Sequence, residues 1–201
     1  MLENKRIIVT GGAGFLGKHL VRLLIEEEKV LRENIFVPRS KDYDLRNPQH
    51  TKKLFEDFPA QIVFHLATTV AGIGYNKQHP GSLFYDNLMM GTNLLEQSRL
   101  HNVEKFIGIG SAVSYPKNAQ IPLKEEDLWN GMPEETLASF GIATKLLSVQ
   151  AQAYRKEFSF NGIYIIPANL YGPGDTFDIE KAHVIPSIII KIENAIRNNQ
   201  N

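Results

Sequence analysis

The amino-acid sequence predicts an α/β domain with a doubly wound parallel sheet and helices on both of its faces. Short apolar runs of strand length alternate along the chain with longer segments of helical period, which is the order of βαβ units. The apolar runs hold few polar residues, as strands do when helices cover both faces of a parallel sheet. A glycine-rich turn between the first run and the first helical segment is a third observation in favour of this class.

Strands and helices are predicted in alternation. The strands are expected at residues 7–9, 35–37, 62–66, 106–109 and 163–166. The helices are expected at residues 14–28, 51–58, 82–100, 135–158 and 183–192. Residues 115–133 contain several prolines and a glycine, and we expect them to form a long surface excursion near the strand ends.

The composition excludes several functional classes. With 201 residues, of which 43% are hydrophobic, the chain is long enough and apolar enough for a packed core. Basic and acidic residues number 22 each, and a net charge of zero argues against nucleic-acid or membrane partners. The lack of cysteine excludes disulfides and thiolate nucleophiles, and the histidine spacing predicts no metal site. Because neither a signal peptide nor a membrane span is visible, we expect a cytoplasmic protein.

The segment TGGAGFLG follows the first strand and opens the first helix. Gly11 permits a tight turn, Gly14 lets the backbone approach a phosphate, and Gly17 lets the helix pack closely on the strand. The amides of Phe15 and Leu16 lie at the helix N-terminus, where N–H groups and the helix dipole favour an anion. The segment therefore predicts a Rossmann-type site for the diphosphate of a nicotinamide dinucleotide.

The residues after the second strand indicate which dinucleotide binds. An NAD site usually carries a carboxylate at the end of this strand for the ribose 2′-hydroxyl. Here Arg39, Ser40 and Lys41 follow instead and suit a 2′-phosphate, although a solvated basic loop is the alternative interpretation. The sequence therefore favours NADP(H) over NAD(H), with Asp44 and Leu45 placed against the adenine.

Several further segments resemble one family. They are TVAGIG from residue 69, GSAVSYPK from residue 110, EEDLW from residue 125, NLYGPGD from residue 169 and HVIP from residue 183. Together with the glycine segment they resemble GDP-L-fucose synthase, an extended short-chain dehydrogenase/reductase. The resemblance implies epimerisation of GDP-4-keto-6-deoxymannose at two carbons, followed by reduction of the keto group with NADPH. It also assigns Leu66, Ala67, Asn87 and Asn169 to the cofactor site.

The resemblance implies a defined set of chemical groups. In the family, a tyrosine whose pKa is lowered by a lysine one helical turn later protonates the alkoxide, and a serine orients the carbonyl. A cysteine and a histidine exchange protons with the sugar ring. Ser111 and His183 match the serine and the histidine, but Val113 occupies the cysteine position. Phe140 and Thr144 occupy the positions of the tyrosine and the lysine, so the resemblance implies weak or absent turnover.

Other interpretations apply to some of these residues. Ser111 could cap the backbone, and His183 could be a polar residue at a helix start. Lys145 is adjacent to Thr144, but successive helix residues are rotated by about 100° around the axis. We therefore expect Lys145 to point away from the site.

The chain is shorter than the family, which continues well beyond the helix that follows His183. We interpret residues 1–180 as an NADP-binding Rossmann domain and residues 181–201 as the beginning of a truncated substrate-binding region, so that the substrate domain is largely absent. Either the sequence is a fragment, or a partner supplies the rest, or sugar binding has been abandoned.

The sequence leaves two functions open. One is an NADP(H)-binding relative of GDP-L-fucose synthase that takes a GDP-sugar with weak or no turnover. The other is a non-catalytic pseudoenzyme that acts as a redox sensor, a regulatory subunit or a scaffold subunit. A purely structural domain fits poorly with so complete a glycine segment. The helices at residues 82–100 and 135–158 also predict a homodimer, because both have apolar residues on more than one face.

Overall fold

The computed structural model describes residues 2–69, 73–178, 182 and 184–198, and its elements follow the predicted order. The strands are β1 (Ile7–Thr10), β2 (Ile35–Phe36), β3 (Ile62–His65), β4 (Lys105–Ile109) and β5 (Gly162–Ile165). The helices are α1 (Phe15–Glu26), α2 (Pro48–Asp57), α3 (Ile73–Gln78), α4 (Pro80–Leu100), α5 (Ala138–Phe158) and α6 (Val184–Arg197).

The five strands form one parallel sheet in the order β2-β1-β3-β4-β5. The direction of winding reverses between β1 and β3, which are paired so that Thr10 lies beside His65 at their carboxyl ends. In open α/β sheets the ligand crevice lies outside the strand ends at such a switch point. The predicted fold class is confirmed, and the topology indicates where a ligand binds.

The core lies on both faces of the sheet. Alternate residues of β1 point to opposite faces, so Ile7 and Val9 belong to one cluster and Ile8 to the other. The first cluster includes Leu24 from α1. The second is formed with helices α2, α4 and α5, which contribute Leu54, Phe55, Leu94, Leu95, Leu147 and Ala151.

Several elements differ from the sequence prediction. Helix α3 was not predicted, because its six residues IGYNKQ are too few to show an apolar period. The helix predicted from residue 135 begins as a 3₁₀ turn at Glu135–Leu137 and becomes α-helical at Ala138. A 3₁₀ turn at Ala112–Ser114 precedes the excursion, and another at Glu125–Trp129 lies within it. Among the described helices, none is long and apolar enough to cross a membrane.

Helix α6 has an apolar face that is open to solvent. Its isoleucines recur at helical spacing, and four of them are at least 46% exposed: Ile188, Ile189, Ile192 and Ile196. This exposure contrasts with the burial of Leu83, Leu94 and Leu95 in α4, and it marks the end of the compact part of the described structure.

Candidate functional site

The glycine segment forms a tight loop between β1 and α1. Gly11 has a φ of +69°, a conformation that side chains disfavour. A Cβ at Gly11 would also lie 2.7 Å from the backbone of Leu66 and Ala67 at the end of β3. At Gly17, a Cβ would overlap the carbonyl oxygen of Gly11. The absence of side chains is therefore what allows the loop, the helix and β3 to meet.

The N-terminus of α1 leaves backbone donors free for an anion. Its N-cap is Gly14, which has no side chain to cap the helix, and the first turn contains no acidic residue. The first helical hydrogen bond runs from the amide of Lys18 to the carbonyl of Gly14 at 3.0 Å. The amides of Phe15 and Leu16 precede that bond, so they are available to a diphosphate oxygen.

A second loop closes over this helix from the other side of the crevice. The ring nitrogen Nε2 of His19 lies 2.8 Å from the carbonyl oxygen of Pro173, in the turn after β5. His19 also packs edge-on against Phe15, with ring centroids 5.4 Å apart. The histidine therefore ties the helix that follows the glycine segment to the segment that contains Asn169, whose side chain is exposed.

The loop after β2 contains exposed cationic side chains. Arg39 is exposed, and no ion pair or side-chain hydrogen bond joins it to the described residues. Asp44, in contrast, is bound by Arg46 through both carboxylate oxygens, and Arg46 also contacts Asp86 at 3.2 Å. The hydrogen bonds from Arg46 hold the pKa of Asp44 below its usual range. Leu45 has its side chain in the core, so only its backbone is placed to meet a ligand.

The end of β3 is held by buried polar side chains. The hydroxyl of Thr10 lies 2.8 Å from His65 Nδ1 and accepts a hydrogen bond from the amide of Ala67. Burial lowers the pKa of His65 to about 4, so the ring is neutral at pH 7. Asn87 binds both the amide and the carbonyl of Thr69 at 2.9 Å. Asn87 therefore shapes the backbone of the site.

A small cavity of about 10 Å³ lies among the ends of β3 and β4 and helices α4 and α5. It has room for about one water molecule. Its polar lining comes from His65, Thr68, Asn87, Thr92 and Thr144.

Of the residues that the resemblance assigns to catalytic positions, Thr144 lines this cavity. The hydroxyl of Ser111 accepts a hydrogen bond from the amide of Val113 at 3.4 Å, which caps the 3₁₀ turn at Ala112–Ser114. Phe140 and Thr144 are each 7% exposed. The Thr144 hydroxyl donates to the carbonyl of Phe140 at 3.1 Å. The hydroxyl of Thr144 is thus satisfied by its own helix, and the phenyl ring offers no proton.

Lys145 points away from the cavity. Its ammonium donates to the carbonyls of Ser114 at 3.3 Å and Leu128 at 3.0 Å, and it lies 4.4 Å from the ring centroid of Trp129. The side chain is 1% exposed, and burial lowers its pKa. Lys145 therefore fastens the excursion to α5 and does not line the cavity beside Thr144.

One residue of this region was not singled out in the sequence. The hydroxyl oxygen of Tyr164 is buried, and a Cβ at Gly110 would overlap it. The sequence signal was weak, because a tyrosine in an apolar strand usually indicates core packing. His183 lies outside the described residues, and no group of residues that could hold a metal ion occurs within the described ranges.

Comparisons with known proteins agree with this arrangement. The model of the NAD dependent epimerase/dehydratase family matches residues 7–198. A GDP-L-fucose synthase of Sinorhizobium fredii is 37% identical over 97% of this chain and 61% of its own length. A solved GDP-mannoheptose C4 reductase from Campylobacter jejuni with NADP bound superposes with a TM-score of 0.87 at 30% identity. This superposition covers 100% of the present chain and 62% of the reductase.

A GDP-L-fucose synthetase from Naegleria fowleri bound to NADP has the same TM-score, 0.87, and also 30% identity, over 100% of this chain and 61% of its own. The chain therefore spans about three-fifths of the length of the relatives that it matches.

Proposed function

The chain belongs to the NAD dependent epimerase/dehydratase family, and from this premise we propose that it binds NADP(H) at the crevice but turns over a sugar nucleotide weakly or not at all. The observation that carries the proposal is the loop at Gly11, where a Cβ would meet the backbone of β3, joined to a helix N-terminus with free amides. A diphosphate needs such a close approach to backbone donors. Arg39 supports NADP(H) over NAD(H), because it supplies a free guanidinium for the 2′-phosphate.

The sugar ligand that we propose is a GDP-linked keto sugar. Relatives at 30–37% identity are named for GDP-fucose synthesis or GDP-heptose reduction. Val113 has no proton to exchange, so the thiol step of epimerisation is lost at that position. Ser111 is the remaining hydroxyl that suits a carbonyl. We therefore place reduction ahead of epimerisation among the reactions that the site could retain.

Weak turnover follows from the chemistry of two side chains. Hydride transfer to a carbonyl leaves an alkoxide, and a positioned general acid contributes about 10²- to 10⁴-fold to the rate. Phe140 cannot donate a proton, and Thr144 cannot supply the charge that lowers the pKa of a phenol. NADP(H) supplies the hydride when it is bound; the residues of this chain bind it and orient the carbonyl.

A non-catalytic role is the second candidate. The Thr144 hydroxyl is buried and hydrogen-bonded to its own helix. Phe140 and Thr144 are therefore packed into the core, and the hydroxyl has its partner. Such a site favours binding without turnover, as in a redox sensor or a regulatory or scaffold subunit. The exposed apolar face of α6 is consistent with residues 181–201 belonging to the beginning of a sugar-binding region.

Titration of the chain with NADPH and NADH tests the binding proposal. At 100 times its Kd, NADPH should raise the free energy of unfolding by about 2.7 kcal/mol. Gly11→Ala should weaken NADPH binding by more than about tenfold. An alanine would disfavour the positive φ of this position, and its Cβ would overlap the backbone of Leu66 and Ala67. Gly81→Ala is the matched control, because a Cβ at Gly81 meets no atom within 4 Å. Absence of binding by either dinucleotide at millimolar concentration would contradict the proposal.

We also propose that two copies of the chain associate through α4 and α5. Both helices expose large apolar side chains on their outer surfaces, including Tyr85, Leu100 and Val149. Ordinary core packing already accounts for Leu95 and Leu147, which are buried. Size-exclusion chromatography with light scattering should show a dimer that Val149→Asp converts to a monomer. A monomer for the unaltered chain would exclude this association.

A further inference from the structure

The chain after β5 makes a tight turn at residues 172–175, which presents a backbone carbonyl to its surroundings. The amide of Asp175 donates to the carbonyl of Gly172 at 3.2 Å. Pro173 occupies the second position of the turn, and Gly174, with a φ of +85°, occupies the third, which is the pattern of a type II turn. The carbonyl of Pro173 takes no part in the hydrogen bond of the turn, so it is free to accept one from elsewhere.

Two side chains of α1 receive this turn. Nε2 of His19 lies 2.8 Å from the Pro173 carbonyl oxygen, and because a carbonyl can only accept, the ring proton of His19 is on Nε2. Phe15, one helical turn earlier on the same face, packs edge-on against the imidazole. A Cβ at Gly172 would lie 3.7 Å from Cζ of Phe15, so the backbone of the turn rests on the phenyl ring.

The contact lies directly beside the proposed diphosphate site. Phe15 provides one of the backbone amides at the N-terminus of α1, and its side chain supports the turn. Helix α1 follows β1 and the turn follows β5, and β3 and β4 lie between these two strands in the sheet. Since neighbouring strands are about 4.8 Å apart, the chain reaches back over about 14 Å of the sheet edge. The turn therefore crosses the edge at which the crevice lies.

We propose that His19 is a positioning residue: it holds the 172–175 turn against α1, and the held turn slows the dissociation of NADP(H) from the crevice. Asn169, which the resemblance assigns to the cofactor site, lies three residues before the turn and is positioned by the same anchor. His19 acts through the turn and is given no contact with the dinucleotide. The retention of NADP(H) rests on the function proposed above, whereas the bond from His19 to the turn does not.

The dissociation rate of NADPH tests this proposal. It is measured by stopped flow, with excess NADP⁺ displacing NADPH and the nicotinamide fluorescence as the signal. His19→Leu keeps an apolar side chain against Phe15 but removes the donor, and we expect it to speed dissociation by about fivefold, the equivalent of one net hydrogen bond. The association rate should be unchanged. His19→Gln retains an N–H donor and should dissociate at close to the rate of the unaltered chain.

His101→Leu is the matched control. Nδ1 of His101 lies 2.9 Å from the carbonyl of Gln97, so this variant also loses a contact between an imidazole and a carbonyl, but at the C-terminus of α4. It should leave the dissociation rate unchanged. A second measurement needs no ligand: chymotrypsin should cleave after Tyr171, which is 63% exposed and adjoins the turn, faster in His19→Leu than in His101→Leu. His19 is only partly buried, so its replacement leaves no cavity in the core.

An unchanged dissociation rate in His19→Leu would overturn the proposal, and so would an equal acceleration in His101→Leu. Faster dissociation without faster cleavage after Tyr171 would show that His19 does not act through the turn. If the unaltered chain bound no NADPH, the proposed function would fail and the retention of NADP(H) would fail with it. Cleavage of the ligand-free chain would still decide whether His19 holds the turn.

Discussion

The hydroxyl of Thr144 donates to the carbonyl oxygen of Phe140, one helical turn earlier in α5, over a distance of 3.1 Å. This bond joins the two residues that the sequence resemblance aligns with the family's general acid and its lysine. Both side chains are buried, and neither carries an ionisable group, so the turn that would perform proton transfer is here an ordinary part of a helix. The first prediction concerns the restoration of this pair.

We expect Phe140→Tyr combined with Thr144→Lys to raise NADPH consumption with a GDP-keto sugar by about 10²-fold or more, because a positioned general acid contributes on that scale. Each single variant should remain near the unaltered chain, since the acid and the charge that lowers its pKa act together. The oxidation of NADPH is followed at 340 nm. If the double variant binds NADPH tightly but does not oxidise it, the result would instead favour the non-catalytic role.

The second prediction concerns the choice of dinucleotide. Arg39→Ala should weaken NADPH binding by about tenfold or more, because a charge-assisted bond to a phosphate is lost. It should leave NADH binding unchanged. Arg22→Ala removes an arginine that is paired with Glu26 on the surface of α1, and it serves as the control in the same calorimetric titrations. If Arg39→Ala weakened the binding of NADPH and NADH equally, the result would contradict a role for Arg39 at the 2′-phosphate.

The third prediction concerns the attachment of the excursion to α5. Lys145→Met retains the apolar stem but leaves the carbonyls of Ser114 and Leu128 without their donor, at a cost of about 2 kcal/mol. It also removes the cation beside Trp129, the single tryptophan of the chain. Chemical denaturation should show the lower stability, and the tryptophan emission of the folded variant should shift to longer wavelength.

Lys156→Met is the control for this measurement, because Lys156 is an exposed lysine near the other end of the same helix. If Lys145→Met and Lys156→Met had equal stability and equal emission spectra, the two carbonyl bonds of Lys145 would contribute nothing.

The sequence predicted the sheet well because every strand is a short apolar run bounded by turn residues, and such runs report on local burial. The glycine loop was predictable for a related reason: the conformation at Gly11 is a local requirement that residue type reveals. The close approach of the Tyr164 ring to Gly110 was not predictable. It depends on the register between β4 and β5, which brings Tyr164 past Gly110, and nothing in the local sequence specifies that approach.

The hydrogen-bond partners of the polar side chains could not be predicted from the sequence either. Asp44 was expected at the adenine, but its bond to Arg46 and the contact of Arg46 with Asp86 depend on packing between the loop and α4. Asn87 was expected at the cofactor, and the structure shows it binding the backbone of Thr69. These partners follow from the tertiary structure, which a single sequence does not display.

The last prediction concerns the pH dependence of stability. Burial lowers the pKa of His65 from 6.5 to about 4. Between these two values the unfolded chain binds a proton at this residue and the folded chain does not. The free energy of unfolding must therefore fall as the pH falls from 6.5 to 4, and the contribution of His65 to that loss is about 3 kcal/mol. Above pH 6.5 the contribution is constant.

Urea denaturation at a series of pH values measures this dependence. His65→Asn should be less stable than the unaltered chain at pH 7, because it vacates core volume and disturbs the bond to Thr10. Between pH 6.5 and 4 the free energy of unfolding of His65→Asn should fall by about 3 kcal/mol less than that of the unaltered chain, because the variant lacks the titrating imidazole. Parallel curves for the two proteins would show that His65 titrates alike in the folded and unfolded chains, and that the ring is not held neutral at the end of β3.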